Sequence, residues 1–311
     1  MQQRYVGNSG LRVSSLSLGT MSWAGETDEQ DAAALLHTFV DGGGTLIDTA
    51  ASYAGGRAEA MLGSMLNDVV ARSEVVISTK AGLTTSGARH SVDTSRNALL
   101  SSLDASLARL GTDYVDLWFA QAWDPNVPLD ETLAALEYAV RSGRVRYAGV
   151  SNYSGWQTAK AAAVAGFPLV ASQAEYSLLQ RKAEAELIPA VEDAGLGLMA
   201  WAPLGRGVLT GKYRGHIPAD SRAAQSKLAA YVEPYLEGSS SSVVEAVAMA
   251  AKGLGRSILD VSLSWLLSQH GVATAVVGAR TPVQLKEILD ATLAPLPPEI
   301  AVALEDVSSP A

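Results

Sequence analysis

The chain has 311 residues, with 23 basic and 32 acidic side chains for a formal net charge of -9, and 48% of it is hydrophobic. That apolar share supports a large core and argues against disorder, while acidity without a basic run argues against a nucleic-acid partner. The absence of Cys excludes disulfides, thiolate nucleophiles and zinc–thiolate sites, and no apolar run approaches the roughly 20 residues that span a bilayer, so a soluble cytoplasmic protein without a membrane partner is expected.

Gly7, Ser9 and Gly10 between short extended pieces predict an N-terminal β-hairpin. Apolar runs then predict strands at Ser15–Gly19, Leu46–Thr49, Val75–Thr79, Val115–Ala120, Arg146–Val150, Leu169–Gln173, Gly197–Trp201 and Thr274–Gly278. Helical spacing fills the intervals at 29–40, 57–69, 129–140, 155–165, 184–192, 242–251, 257–267 and 283–289. In a further helix, Leu99, Leu103, Leu107 and Leu110 fall on one face. The alternation predicts a (β/α)8 TIM barrel with an N-terminal β-hairpin cap, built as a single domain over residues 1–311. A doubly wound open sheet is the rival. It would place a glycine-rich turn after an early strand, whereas Gly42, Gly43 and Gly44 precede one. The stretch from about 205 to 241 is a long loop, and the tail after Ala294, with Pro295, Pro297 and Pro298, is poor barrel material.

Barrel chemistry belongs at the C-terminal ends of the strands. Those exits carry Asp48, Lys80, Gln121, Ser151 with Asn152, Gln173 and Trp201. A charged Lys80 near the Tyr53 phenol favours the phenolate, and Asp48 keeps that lysine charged. Such a phenol donates a proton to a carbonyl oxygen as hydride arrives at carbon. Spacing alone leaves open a structural Asp–Lys pair with Tyr53 as a loop aromatic.

The chain resembles the aldo-keto reductases over almost its whole length. The resemblance is carried in order by Gly7-Asn8-Ser9-Gly10-Leu11, Leu18-Gly19-Thr20-Met21, Ile47-Asp48-Thr49-Ala50 with Tyr53, and Ser78-Thr79-Lys80. Gly149-Val150-Ser151-Asn152, Gln173, Pro203-Leu204-Gly205 and Gly278-Ala279-Arg280-Thr281 complete it. It implies an NAD(P)(H)-dependent reductase of aldehydes or ketones, with Asp48, Tyr53, Lys80 and Gln121 as the catalytic set. One position departs from the family. In Asp116-Leu117-Trp118-Phe119-Ala120-Gln121, glutamine stands where the family usually has histidine. Of the four histidines, His37 and His270 read as scaffold, while His90 and His216 fall in mouth-side loops. A Gln amide orients a carbonyl but does not titrate near neutrality.

The resemblance further implies cofactor contacts from Thr20, Met21, Asp48, Ser151, Asn152, Gln173, Trp201, Ala202, Pro203, Leu204, Gly205, Lys212, Gly278, Arg280, Gln284 and Ile288. Trp201 would offer a flat ring to nicotinamide, and Ser151, Asn152 and Gln173 its carboxamide partners. The Pro203–Gly205 backbone and Lys212 would meet pyrophosphate, and free amides ahead of the last predicted helix would receive phosphate. Arg280 suits a 2′-phosphate, so NADPH is expected over NADH. Ile288 stands where the family commonly has Asn. Trp23, Phe119, Trp123, Tyr231 and Tyr235 are expected to line an apolar pocket for a small-molecule carbonyl, and no His–Asp cluster suggests a metal. The alternatives are a nicotinamide-nucleotide-binding sensor or subunit of this fold with little turnover, and an unrelated barrel hydrolase or isomerase using paired carboxylates.

Overall fold

The computed structural model describes residues 1–86, 89–219, 221–224, 229–236, 238 and 240–309. Strands β1 (Gln3–Tyr5) and β2 (Arg12–Ser14) form an antiparallel hairpin. The barrel begins with β3 (Leu16–Gly19), β4 (Leu46–Asp48) and β5 (Val76–Ala81). A second hairpin, β6 (Leu83–Ser86) and β7 (Arg89–Val92), follows outside it. The barrel resumes with β8 (Val115–Ala120), β9 (Val145–Ser151), β10 (Leu169–Glu175), β11 (Gly197–Trp201) and β12 (Val272–Val277). All eight neighbouring pairs in the barrel are parallel, and β12 closes on β3.

The helices are α1 (Glu29–Asp41), α2 (Arg57–Met65), α3 (Arg96–Leu110), α4 (Leu129–Arg141), α5 (Gly155–Val164) and α6 (Ala183–Asp193). After β11 come α7 (Ala229–Val232), α8 (Ser240–Leu254), α9 (Ile258–Ser268), α10 (Pro282–Leu289) and α11 (Pro298–Val307). Polar side chains start many of them. Ser154 and Gln157 make a reciprocal capping box on α5, and Ser95, Ser257 and Thr281 cap α3, α9 and α10.

Each predicted strand is present, and three differences have local causes. Helix α2 ends at Met65 and not at Val69, because Leu66 is extended and Asn67 takes φ +71°, which breaks the turn. The proline-rich tail stays out of the barrel but forms α11, where Pro298 occupies an N-terminal position whose amide has no helical partner anyway. The 205–241 stretch is locally helical in several short pieces, with residues 220, 225–228, 237 and 239 outside the described set. Among the described residues no helix is long and apolar enough to cross a membrane.

Two-residue periodicity positions the site. Leu46, Leu117, Phe119, Met199 and Val276 point into the barrel, where they pack with Val6, Leu11 and Val13 of the N-terminal hairpin region. Ile47, Trp118, Ala120, Leu198 and Ala200, one step out of phase, face the helices in the outer core. Continuing the inward phase to each strand exit brings Asp48, Lys80, Gln121, Ser151, Gln173 and Trp201 to one end.

Candidate active site

Lys80 is 1% exposed, and its three ammonium protons have three acceptors. It donates to Asp48 Oδ2 at 2.7 Å, to the Thr49 carbonyl at 2.8 Å and to Tyr53 Oη at 3.5 Å. An ammonium only donates. The Tyr53 oxygen therefore accepts from it, and the phenolic proton is left to point elsewhere. Asp48 is fixed from its other side, where Oδ1 accepts from Ser78 Oγ at 2.6 Å and from Gln173 Nε2 at 2.9 Å.

Burial pushes the Tyr53 phenol above its ordinary value, and the Asp48 charge adds to this, while Lys80 pulls it down through charge and hydrogen bond. The lowering expected from Lys80 is thus present but outweighed, so the resting phenol is protonated. Burial works against the Lys80 charge, yet Asp48 and Tyr53 together hold the ammonium above its ordinary range. This arrangement preserves a proton donor beside a permanent cation.

Gln121 is 5% exposed, and its Oε1 accepts from Ser52 Oγ at 3.1 Å, leaving the amide nitrogen as the available donor. Asn152, in a left-handed conformation at φ +58°, uses both ends of its amide. Its Nδ2 donates to the Gln121 carbonyl at 2.9 Å, and its Oδ1 accepts from Trp201 Nε1 at 3.0 Å. Asn152 thus spends both ends of its amide on protein partners, while Gln173 donates from Nε2 to Asp48 across the barrel mouth.

A buried tie lies behind the Tyr53 turn. Glu59 on α2 is fully buried, accepting from Thr79 Oγ1 at 2.5 Å and from Arg109 Nε at 2.8 Å. Ala54, Gly55 and Gly56 follow Tyr53 with φ of +50°, +67° and +86°. A Cβ on Gly56 would meet Arg109 at 2.7 Å, so glycine is required there both for conformation and for contact. The turn carrying Tyr53 is thereby clamped between α2, α3 and the strand carrying Lys80.

The rim is built around Arg206, at φ +57° in the turn after β11. Its Nε and second terminal nitrogen bind Glu175 Oε1 and Oε2, each at 2.9 Å, and its first terminal nitrogen donates to the Tyr231 carbonyl at 2.6 Å. Burial raises the Tyr231 phenol, which also feels Arg206, Glu175, Arg222 and Tyr53. Trp123 packs edge-on against Tyr153 and Trp156, with ring centroids 5.3 Å apart in each case. Trp123 and Tyr231 remain partly open. Trp23 and Phe119 do not: both are 0% exposed, the first in the outer core and the second inside the barrel below Gln121. Tyr235 is buried too, with Oη donating to Glu175 at 3.1 Å.

Gly205 N–H donates to the Ala202 carbonyl at 2.9 Å, Pro203 has no N–H, and Leu204 is buried. Ile288 is 3% exposed and faces the core with Leu285, because α10 turns that side inward. Two amides at the start of α10 have side-chain partners: Arg280 N–H donates to Gln284 Oε1 at 3.0 Å, and Gln284 N–H to Thr281 Oγ1 at 3.4 Å. Gly278 and Met21 are exposed, whereas Thr20 is buried and donates to the Asp48 carbonyl at 3.2 Å. Ser151 is buried at its strand exit. Lys212 is exposed and overhangs Gly207, where a Cβ would stand 3.2 Å from its ammonium. Glu26 lies between Arg222 at 3.4 Å and Arg280 at 3.6 Å. His37, His216 and His270 are exposed, and the His90 side chain lies outside the described residues.

Sequence reasoning missed Ser52, Glu59, Glu175 and Arg206. Inward phase extended two residues beyond Gln173 would have found Glu175. The other three depend on partners 31 to 69 positions away.

A parallel barrel with a carboxylate–lysine–phenol cluster at its strand exits defines a class of barrel oxidoreductases. The aldo/keto reductase family model matches residues 15–308. The L-glyceraldehyde 3-phosphate reductase of Escherichia coli (strain K12) is 36% identical over 302 residues, covering 94% of this chain and 87% of that protein. An uncharacterized oxidoreductase of Bacillus subtilis (strain 168) is 34% identical, covering 99% of this chain and 96% of its own length. A probable voltage-gated potassium channel subunit beta of Oryza sativa subsp. japonica is 36% identical, with the same coverage of 99% and 96%. The chain belongs to the aldo/keto reductase family, and with it to the NAD(P)H-dependent oxidoreductases.

Proposed function

We propose that the protein reduces an aldehyde or ketone to the alcohol with NADPH, using Tyr53 as general acid. The observation that carries this reading is the Lys80 ammonium in hydrogen-bond reach of both Asp48 and Tyr53 Oη. When bound, the nicotinamide supplies hydride to the carbonyl carbon. Tyr53 gives its proton to the carbonyl oxygen, and the resulting phenolate is stabilised by Lys80, whose charge Asp48 secures. Gln121 orients the same oxygen through its amide nitrogen, with Ser52 fixing which end of the amide faces the mouth. The alcohol leaves, and Tyr53 takes its proton back from solvent.

The donor set fits a dinucleotide. Trp201 presents an indole anchored by Asn152, and Lys212 stands over a turn kept open by Gly207. Arg280 and Gln284 would hold the adenosine end, and the Arg280 fork favours NADPH over NADH. The protein is read as one barrel domain over its full length.

The test is NADPH oxidation with a panel of aldehydes and ketones, including glyceraldehyde 3-phosphate because of the Escherichia coli relative. Turnover that falls by about 10²–10⁴ in Tyr53→Phe supports the reading, and a variant with unchanged turnover refutes it. Equal kcat/KM for NADPH and NADH would remove the role given to Arg280. A second reading is a nucleotide-binding subunit with little turnover, favoured by Gln121 and by the name of the rice relative. NADPH binding without consumption across the panel would select it.

A further inference from the structure

We infer that Arg206 is the specificity-setting latch of the mouth: paired with Glu175, it holds the segment 229–235 in place, and the grip of that latch decides how large a carbonyl substrate is admitted. This rests on the carbonyl-reductase reading above and adds to it a residue pair with no part in the proton transfer.

Four observations converge on this one side chain. The guanidinium forks onto Glu175 through two bonds of 2.9 Å, a planar match of the kind that fixes orientation as well as distance. Its remaining terminal nitrogen donates to the Tyr231 backbone carbonyl at 2.6 Å, so the same group grips the rim segment by its main chain. It lies over the rings of Tyr231 and Tyr235, 4.1 and 4.9 Å from their centroids. It also stands 6.0 Å from the Trp201 ring. The residue takes a left-handed backbone that costs a non-glycine side chain energy, so the surrounding contacts must hold it there.

The consequence follows from where the partners sit. Glu175 is two residues beyond Gln173, which binds Asp48, and it pairs in register with Trp201. The latch therefore stands on the same rigid strand exits as the proposed catalytic cluster, and its other end is a loop segment. In the held position the Tyr231 phenol lies within electrostatic reach of Tyr53. A small aldehyde gains enclosure from this arrangement, and a bulky one must compete with the Tyr231 ring for space.

The test uses the full-length protein and the variants Glu175→Gln, Arg206→Gln, Arg206→Lys and the double variant Glu175→Gln/Arg206→Gln. It compares kcat/KM for propanal and for 2-naphthaldehyde, together with amide hydrogen exchange over 229–236. Each single variant is expected to shift the ratio about tenfold toward the naphthaldehyde, chiefly through KM, and to speed exchange in that segment. The double variant is expected to go no further than either single one, since both break one link. Equal losses for the two aldehydes, or unchanged exchange, would overturn the proposal. So would Arg206→Lys restoring the wild-type ratio, because charge without the fork would then suffice. Should Arg206→Gln fail to fold, Tyr231→Ala on the partly open rim must shift the same ratio, and an unchanged ratio there is also fatal. A wild-type protein that reduces neither aldehyde defeats the size-selection claim, while the carbonyl panel decides the reductase reading and the exchange comparison decides the latch by itself.

Discussion

Two ion pairs with the same 2.7 Å contact serve different ends in this molecule. Asp48–Lys80 lies inside the barrel with side chains 2% and 1% exposed, and Arg256–Asp260 lies on the outer helix layer, 12% and 5% exposed. Asp260 also accepts from Thr292 Oγ1 at 2.9 Å and from the Leu293 amide at 3.0 Å. Arg256 uses its other donors on Ser264 and on the Ala294 carbonyl, so every partner is protein and the pair ties the segment after α10 to α9. Lys80 differs in its third acceptor, a phenol with a transferable proton. On the proposed function the first pair serves chemistry because Lys80 also touches a titratable phenol, whereas the second holds chain together.

The sharpest way to break this contrast is Lys80→Met. It is expected to lower reductase turnover at least as far as Tyr53→Phe. Because it strands the buried Asp48 carboxylate, it should also cost about 3–5 kcal/mol in denaturant unfolding. A variant that lost stability but kept its turnover per folded molecule would place Lys80 with the structural pairs. Asp260→Asn is the mirror experiment. Burial alone would raise the Asp260 carboxyl, but Arg256, Thr292 and Leu293 hold it down from 3.8 to about 2. The folded carboxyl is more acidic than the unfolded one, so its stabilisation is complete above pH ~4 and is lost as pH falls toward ~2. The variant is expected to lose about 2 kcal/mol at neutral pH and to flatten that acid limb, with turnover per folded molecule unchanged.

Smaller effects test the mouth itself. Wild-type turnover is expected to show no titration near a histidine pKa, and Gln121→His to introduce one. Because the Tyr53 phenol is raised, carbonyl reduction should hold into alkaline solution beyond the ordinary tyrosine range, and alcohol oxidation should keep rising there. Ser52→Ala frees the Gln121 amide to flip, and a loss of only a few-fold in kcat is expected from one neutral hydrogen bond. A full pH–rate series on both variants checks these points.

By itself the sequence determined the barrel, the N-terminal hairpin, and the arrival of Asp48, Lys80, Gln121, Ser151, Gln173 and Trp201 at one end. Those features are local: strand periodicity puts alternate residues on one face, and a short motif carries its own exit residue. Tertiary structure decided what those residues touch. Ser52 reaches Gln121 across 69 positions, Arg109 reaches Glu59 across 50, and Arg206 reaches Glu175 across 31. It also buried Trp23, Phe119 and Ile288, since an apolar side chain looks the same in a sequence whether it walls a pocket or fills a core. The direction of the Tyr53 shift belongs here as well. Charge type is written in the chain, but burial is a property of everything packed around it, and at Tyr53 burial outweighs the neighbouring lysine.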